Sequence, residues 1–181
     1  MSMDHFHEEV AVKRNNILNR IVYLFSWVVM ILFALFAMMN LTSIMGQGGF
    51  NVVALIMTLI SGGIAAGIFL FHDRLLTEYE YTFTNGALDF AEVYNNKKRK
   101  SLGSLNVKTI EAFGKVNSGA FNRYLNMPGI KQMNWFLNRD AELYFFYFSK
   151  DSNKRMIILE PSEELVSLIK QYIPHGAYQE H

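Results

Sequence analysis

The chain has 181 residues, of which 51% are hydrophobic and 18% charged; 17 basic against 16 acidic side chains give a formal net charge of +1. These values exclude an acidic or basic disordered tail and a collagen-like repeat, and without a dense basic face they exclude bulk nucleic-acid binding. The absence of cysteine removes disulfides, thiolate metal sites and cysteine nucleophiles together.

Residues 1–20 read as a cytoplasmic amphipathic helix. Asp4 is its N-cap, and Phe6, Val10, Ile17 and Ile21 fall on one face at helical spacing. Lys13 and Arg14 are placed to rest on anionic headgroups. His5, His7, Glu8 and Glu9 invite a metal reading, but residues two apart on a helix diverge, so a solvated face is expected and no metal.

Between Arg20 and Asp73 there is no Asp, Glu, Lys or Arg. Within this stretch, Ile21 to Leu41 and Val52 to Phe71 are each long enough, at ~1.5 Å per residue, to cross the roughly 30 Å hydrocarbon core. Gly46, Gly48 and Gly49 give the connection turn freedom. In lipid, backbone amides are satisfied within the segment, so residues 21–71 are expected to form a transmembrane helical hairpin. The first stretch begins too far from Met1, and is too long, for a cleavable signal peptide. Lys13, Arg14 and Arg20 precede the first span and Arg74 follows the second, which predicts both termini in the cytoplasm of a two-pass plasma-membrane protein. Gly63 and Gly67 form a GxxxG, with Gly62 and Ala66 in parallel register. Small residues at this spacing allow close helix approach. Packing within the hairpin is the expectation, and a homodimer seam the alternative.

Residues 72–181 read as a cytoplasmic β domain. Tyr79, Tyr81 and Phe83 alternate with polar residues, Asn85-Gly86 signals a type I′ turn, and Ala87 to Tyr94 returns. A polar turn, NNKKRK, precedes two short strand candidates, SLGSLNV and VKTIEAF. Gly114 to Asn126 is expected to be a loop. Met133 to Leu137, AELYFFYF (141–148) and MIIL (156–159) follow as strands. A C-terminal helix over 162–173 has Ser162 as N-cap, Glu163 and Glu164 in the first turn, and Pro174 as its stop. The fold class is therefore a membrane helical hairpin plus a mainly-β domain, a small antiparallel barrel or sandwich capped by one helix.

YEYTFTNGALD, the basic turn, IEAFG and ILEPSEELVSLIKQYIP together resemble a pleckstrin-homology-like (PH-like) domain following a transmembrane hairpin. More narrowly, they resemble an uncharacterised family of small Firmicute (clostridial) two-span membrane proteins, a domain of unknown function. The resemblance implies the fold and no activity.

The histidines are scattered, and no HExxH, GxSxG, P-loop or Rossmann fingerprint occurs. A non-catalytic protein without cofactor is expected, an unrecognised enzymatic site being the remote alternative. Two partner chemistries present themselves. Phe121, Tyr124 and Met127 in the apolar loop, with the strand edges, are candidates for docking or scaffolding a membrane-protein complex. Lys97, Lys98, Arg99 and Lys100 on the hairpin turn, joined by Lys150, Lys154 and Arg155, are candidates for binding anionic lipid at the bilayer surface.

Overall fold

The computed structural model describes residues 5–46 and 49–180. The chain divides into two units, residues 15–77 and residues 1–14 with 78–181. The expected Asp4 cap lies outside the described residues.

The first unit is a helical hairpin. Helix α1 (Ile17–Ser43) starts four residues before the expected span, because Asn19 and Arg20 are accommodated inside it. The Asn19 amide donates to the Leu75 carbonyl at 2.9 Å. A two-rung ladder of β2 (Met45–Gly46) and β3 (Gly49–Phe50) closes the turn. Asn51 then caps α2 (Val52–Phe71) by accepting from the Ala54 amide at 3.1 Å. Both helices are long and apolar enough to cross a membrane. The residues of α2 buried in the hairpin are Ala54, Ser61 and Ala65. Of the anticipated packing residues, only Gly62 faces α1, where an added Cβ would lie 4.0 Å from that of Ala37. Ala66 is exposed, and open space surrounds Gly63 and Gly67. The hairpin seam is thus the Ser61-x-x-x-Ala65 row, one helical face away from the GxxxG; at 100° per residue, two small-residue rows offset by two positions cannot share one neighbour.

The second unit begins with a correction. Residues 6–11 are not helical but form strand β1 (Phe6–Ala11), antiparallel to β4 (Thr77–Thr84) from Phe6↔Thr84 to Ala11↔Tyr79. A spacing of four places Phe6 and Val10 on one face of a helix and equally on one face of a strand. The pairing with β4 decides between them, and it brings residues 1–14 into a domain whose expected start was residue 72.

From β4 the chain turns through Asn85-Gly86, both at positive φ, into β5 (Ala87–Tyr94) and then β6 (Lys98–Asn106). The sheet order is β1-β4-β5-β6. A second sheet, ordered β11-β7-β9-β10-β8, contains β7 (Ala112–Lys115), β8 (Lys131–Trp135), β9 (Tyr144–Lys150), β10 (Asn153–Leu159) and β11 (Tyr178–Gln179). Its central pairs are antiparallel, while β8 on β10 and β11 on β7 add parallel pairs at the two margins.

Helix α4 (Glu163–Tyr172) covers the main core, with Ser162 Oγ accepting from the Leu165 amide at 3.1 Å. Leu165 and Ile169 are fully buried there against Phe83, Phe113, Phe146 and Leu159. The segment expected to be a loop carries α3 (Gly119–Leu125), capped by Ser118. This helix builds a second cluster on the other face of the second sheet, where Phe121 packs with Phe145, Tyr147 and Met156. Its seven residues are too few for a periodic signal, and Ser118 is the cue that was available.

Candidate functional site

The basic run is not a four-residue turn. Asn95 and Asn96 both take positive φ and complete the turn early, the Lys97 amide donating to the Tyr94 carbonyl at 3.0 Å. Only Lys97 stays in the turn, whereas Lys98, Arg99 and Lys100 open strand β6. Successive side chains of a strand leave opposite faces, so the run is divided between the two. Arg99 pairs with Glu80, itself 7% exposed, and Lys100 pairs with Glu92 at 3.6 Å.

Strand β6 lies at the end of its sheet and, among the described residues, pairs with β5 alone. Between Phe90 and Ala91 the register slips, leaving Leu102 as an extra residue in β6 beside Gly103 at φ +139°. Eight of its nine positions have Lys, Arg, Ser, Gly, Leu or Asn side chains outside the sealed core; Leu105 alone is buried. The result is a long, polar, open edge.

Opposite this edge a small cavity of about 80 Å³ opens towards β8 and β10. Its walls include Phe90, Leu102, Ser104, Trp135, Lys150 and Arg155. The Phe90 and Trp135 rings lie 4.6 Å apart, and the Tyr81 hydroxyl donates to the Trp135 carbonyl. Burial pushes the Tyr81 phenol far above its ordinary value, which favours the neutral, donating form. Arg155 is half-buried, and its Nε is buried without a hydrogen-bond partner. Lys154, its neighbour, is on the opposite face of β10. The basic candidates therefore do not converge on one patch.

A second hollow, about 490 Å³ and open to solvent, runs along β1 and the start of α4. Two of its acidic groups, Glu9 and Glu160, are occupied. Glu9 accepts from the Ser162 amide at 3.0 Å and from its hydroxyl. Glu160 accepts from the amides of Leu137 and Asn138 at 3.3 and 3.0 Å. Asn138 in turn accepts from the Arg14 amide and donates to the Val12 carbonyl, both at 2.9 Å. These bonds clamp residues 12–14 to Asn138 and leave Glu9 and Glu160 committed to the fold. His7 bonds Glu9 at 3.0 Å within β1 and lies 3.5 Å from Glu164 of α4, and His5 bonds the Tyr172 hydroxyl at 3.0 Å, so both histidines tie the N-terminal segment to α4.

Phe121 is 8% exposed, and Tyr124 and Met127 are half-buried against the same cluster. Tyr124 stacks on Tyr147 with centroids 4.5 Å apart. This trio is spent on packing and offers no raised contact surface. At the end of α2, His72 is 7% exposed among Tyr23, Trp27 and Phe69, its Nδ1 2.8 Å from the Phe69 carbonyl. No group of three His, Asp or Glu side chains is arranged for a metal among the described residues.

The sequence pattern of one known family, described as "Bacterial PH-like domain (DUF6106)", matches residues 3–179. No curated protein and no solved structure matches.

Proposed function

The chain belongs to this family of bacterial PH-like domains, and from that premise we propose that it is a membrane-held, non-catalytic module that docks a partner protein. The observation that carries the reading is the open edge of β6, nine residues long and paired on one side only. Unpaired strand edges expose a row of amide donors and carbonyl acceptors; the lysines and the bulge at Leu102 guard this edge against indiscriminate pairing, and its length leaves room for a chosen partner strand. An extended segment adding there gains main-chain hydrogen bonds without needing a deep pocket. The two apolar helices supply the anchorage, and anchorage raises the effective concentration of any partner in the same membrane.

The anionic-lipid reading retains Lys98, Lys154 and Arg155 but loses Arg99 and Lys100 to ion pairs with Glu80 and Glu92. Those pairs, and the division of the run between two faces, favour docking.

A photo-crosslinking side chain at Ser101 or Ser104 of the full-length chain, in the membranes of its own cell, tests this. A discrete adduct from both positions, absent when the probe replaces the exposed Ser167 on α4, is the expected result. No adduct from β6, or the same adduct from Ser167, overturns the reading.

A further inference from the structure

The inner face of the second sheet turns cationic at one end. Arg155 is level with Phe148 on β9 and with Lys131 on β8, and Lys150 is level with Asn153. Directly paired residues share a face and alternate residues repeat it. Lys131, Lys150 and Arg155 thus continue the face that buries Met133, Trp135, Phe146, Phe148 and Ile157 in the main core. Four cations elsewhere in the domain have acids beside them: Arg14 has Asp140, Arg99 has Glu80, Lys100 has Glu92 and Lys115 has Glu142. These three have none among the described residues, and the Arg155 Nε is buried without any acceptor. A buried, unpaired guanidinium N–H forfeits its hydration and is ready to donate to an incoming acceptor. The open edge of β6, with Leu102 and Ser104, forms the facing wall of the same cavity.

We propose that this cleft receives an acidic, extended segment of a partner protein, which adds as a strand to β6 and sets a carboxylate against Arg155. The proposal rests on the docking reading and specifies its partner. A strand continuing the first sheet beyond β6 directs alternate side chains inward, over the Lys131–Lys150–Arg155 face, at a repeat of roughly 7 Å. The Nε–H and one terminal N–H of an arginine match the two oxygens of a carboxylate side by side. The walls of Phe90 and Trp135 exclude water and strengthen that pair. Lys131 and Lys150 are placed to meet the next acidic side chains along the segment.

The test uses the full-length chain in nanodiscs of zwitterionic lipid, so that no lipid anion competes. The probe is a capped eight-residue peptide of alternating Thr and Glu, followed by fluorescence anisotropy, with its Thr/Gln counterpart as comparison. Saturable binding of the Glu peptide, at least tenfold tighter than the Gln peptide and weakened at least tenfold by Arg155→Gln, is expected. Arg14→Gln, which is not among the residues lining the cleft, leaves it unchanged. Thermal unfolding of the Arg155→Gln chain at or above the parent midpoint shows that binding is lost without loss of the fold. Equal affinity for the two peptides, no saturable binding, or indifference to Arg155→Gln overturns the proposal. So does Arg155-dependent binding of anionic vesicles in place of the peptide. If the peptide fails while the β6 crosslink persists, docking stands and its acidic partner falls. If both fail, docking falls too.

Discussion

Tyr81 joins the two sheets through one atom. Its hydroxyl donates to the Trp135 carbonyl at the end of β8 and accepts from the Glu160 amide at 3.5 Å, just past β10. Tyr81→Phe keeps the ring but strands a buried carbonyl, a loss of about 1–3 kcal/mol measurable as a lower thermal midpoint. The same residue gives the fold an alkaline limit. Burial raises the Tyr81 phenol above its ordinary 10.0, and Tyr79, Tyr144 and Tyr147 are shifted upward too, each chiefly by burial. Below about pH 10 both folded and unfolded chains hold these protons, and the term is constant. Above it the unfolded chain releases them first, so stability falls as pH rises. A midpoint that declines from pH 9 to 11, and declines less in Tyr81→Phe, is the expected profile; identical profiles refute it. The tyrosine's inward position was legible from its alternation with Glu80 and Thr82. Its acceptor was not, because a carbonyl in β8 leaves no trace in side-chain pattern.

Among the elements, β9 shows how burial edits a pattern. Tyr144 to Phe148 are all buried, since the main core lies on one face and α3 on the other. Alternation disappears when both faces are covered, so AELYFFYF reads as a strand from its aromatic run alone. Strand β1 is the opposite case, a polar strand whose inward residues His7 and Glu9 are bound to α4 and Ser162. Its partners are far away in sequence, so nothing local identifies it. The α2 seam departs from the GxxxG row for a related reason: glycine spacing marks a surface able to pack closely but not which surface does. Ser61→Leu or Ala65→Leu is expected to destabilise the hairpin by about 1–3 kcal/mol through overpacking. Gly63→Leu, projecting into open space, is expected to leave it unchanged. Unfolding of the three variants in detergent distinguishes the rows, and equal losses would return the seam to the GxxxG.

At the level of the whole molecule, the mainly-β domain with its C-terminal helix was readable from turn dipeptides, strand alternation and one capped amphipathic helix. The division of the chain was less so. The domain takes residues 1–14 from before the helical hairpin and 78–181 from after it. A chain starting at residue 78 therefore leaves the outer edge of β4 bare and the Asn138–Glu160 pair without Val12 and Arg14. Such a fragment is expected to aggregate or unfold at least several degrees below the same fragment supplied with residues 1–14 through a short Gly/Ser linker. Equal midpoints and equal solubility would show that β1 is dispensable.

The pairing of β1 with β4 also imposes an order of events on the newly made chain. Strand β1 is translated first and waits, its partner arriving only after both apolar helices have left the ribosome. Loop closure over the hairpin is repaid only when the helix ends return to one place, as they do in a completed up-and-down pair. Sheet closure is thereby coupled to completion of the helical hairpin: a chain with one helix astray keeps an unfinished sheet and a bare strand edge, the kind of surface by which quality-control proteases and chaperones recognise failures.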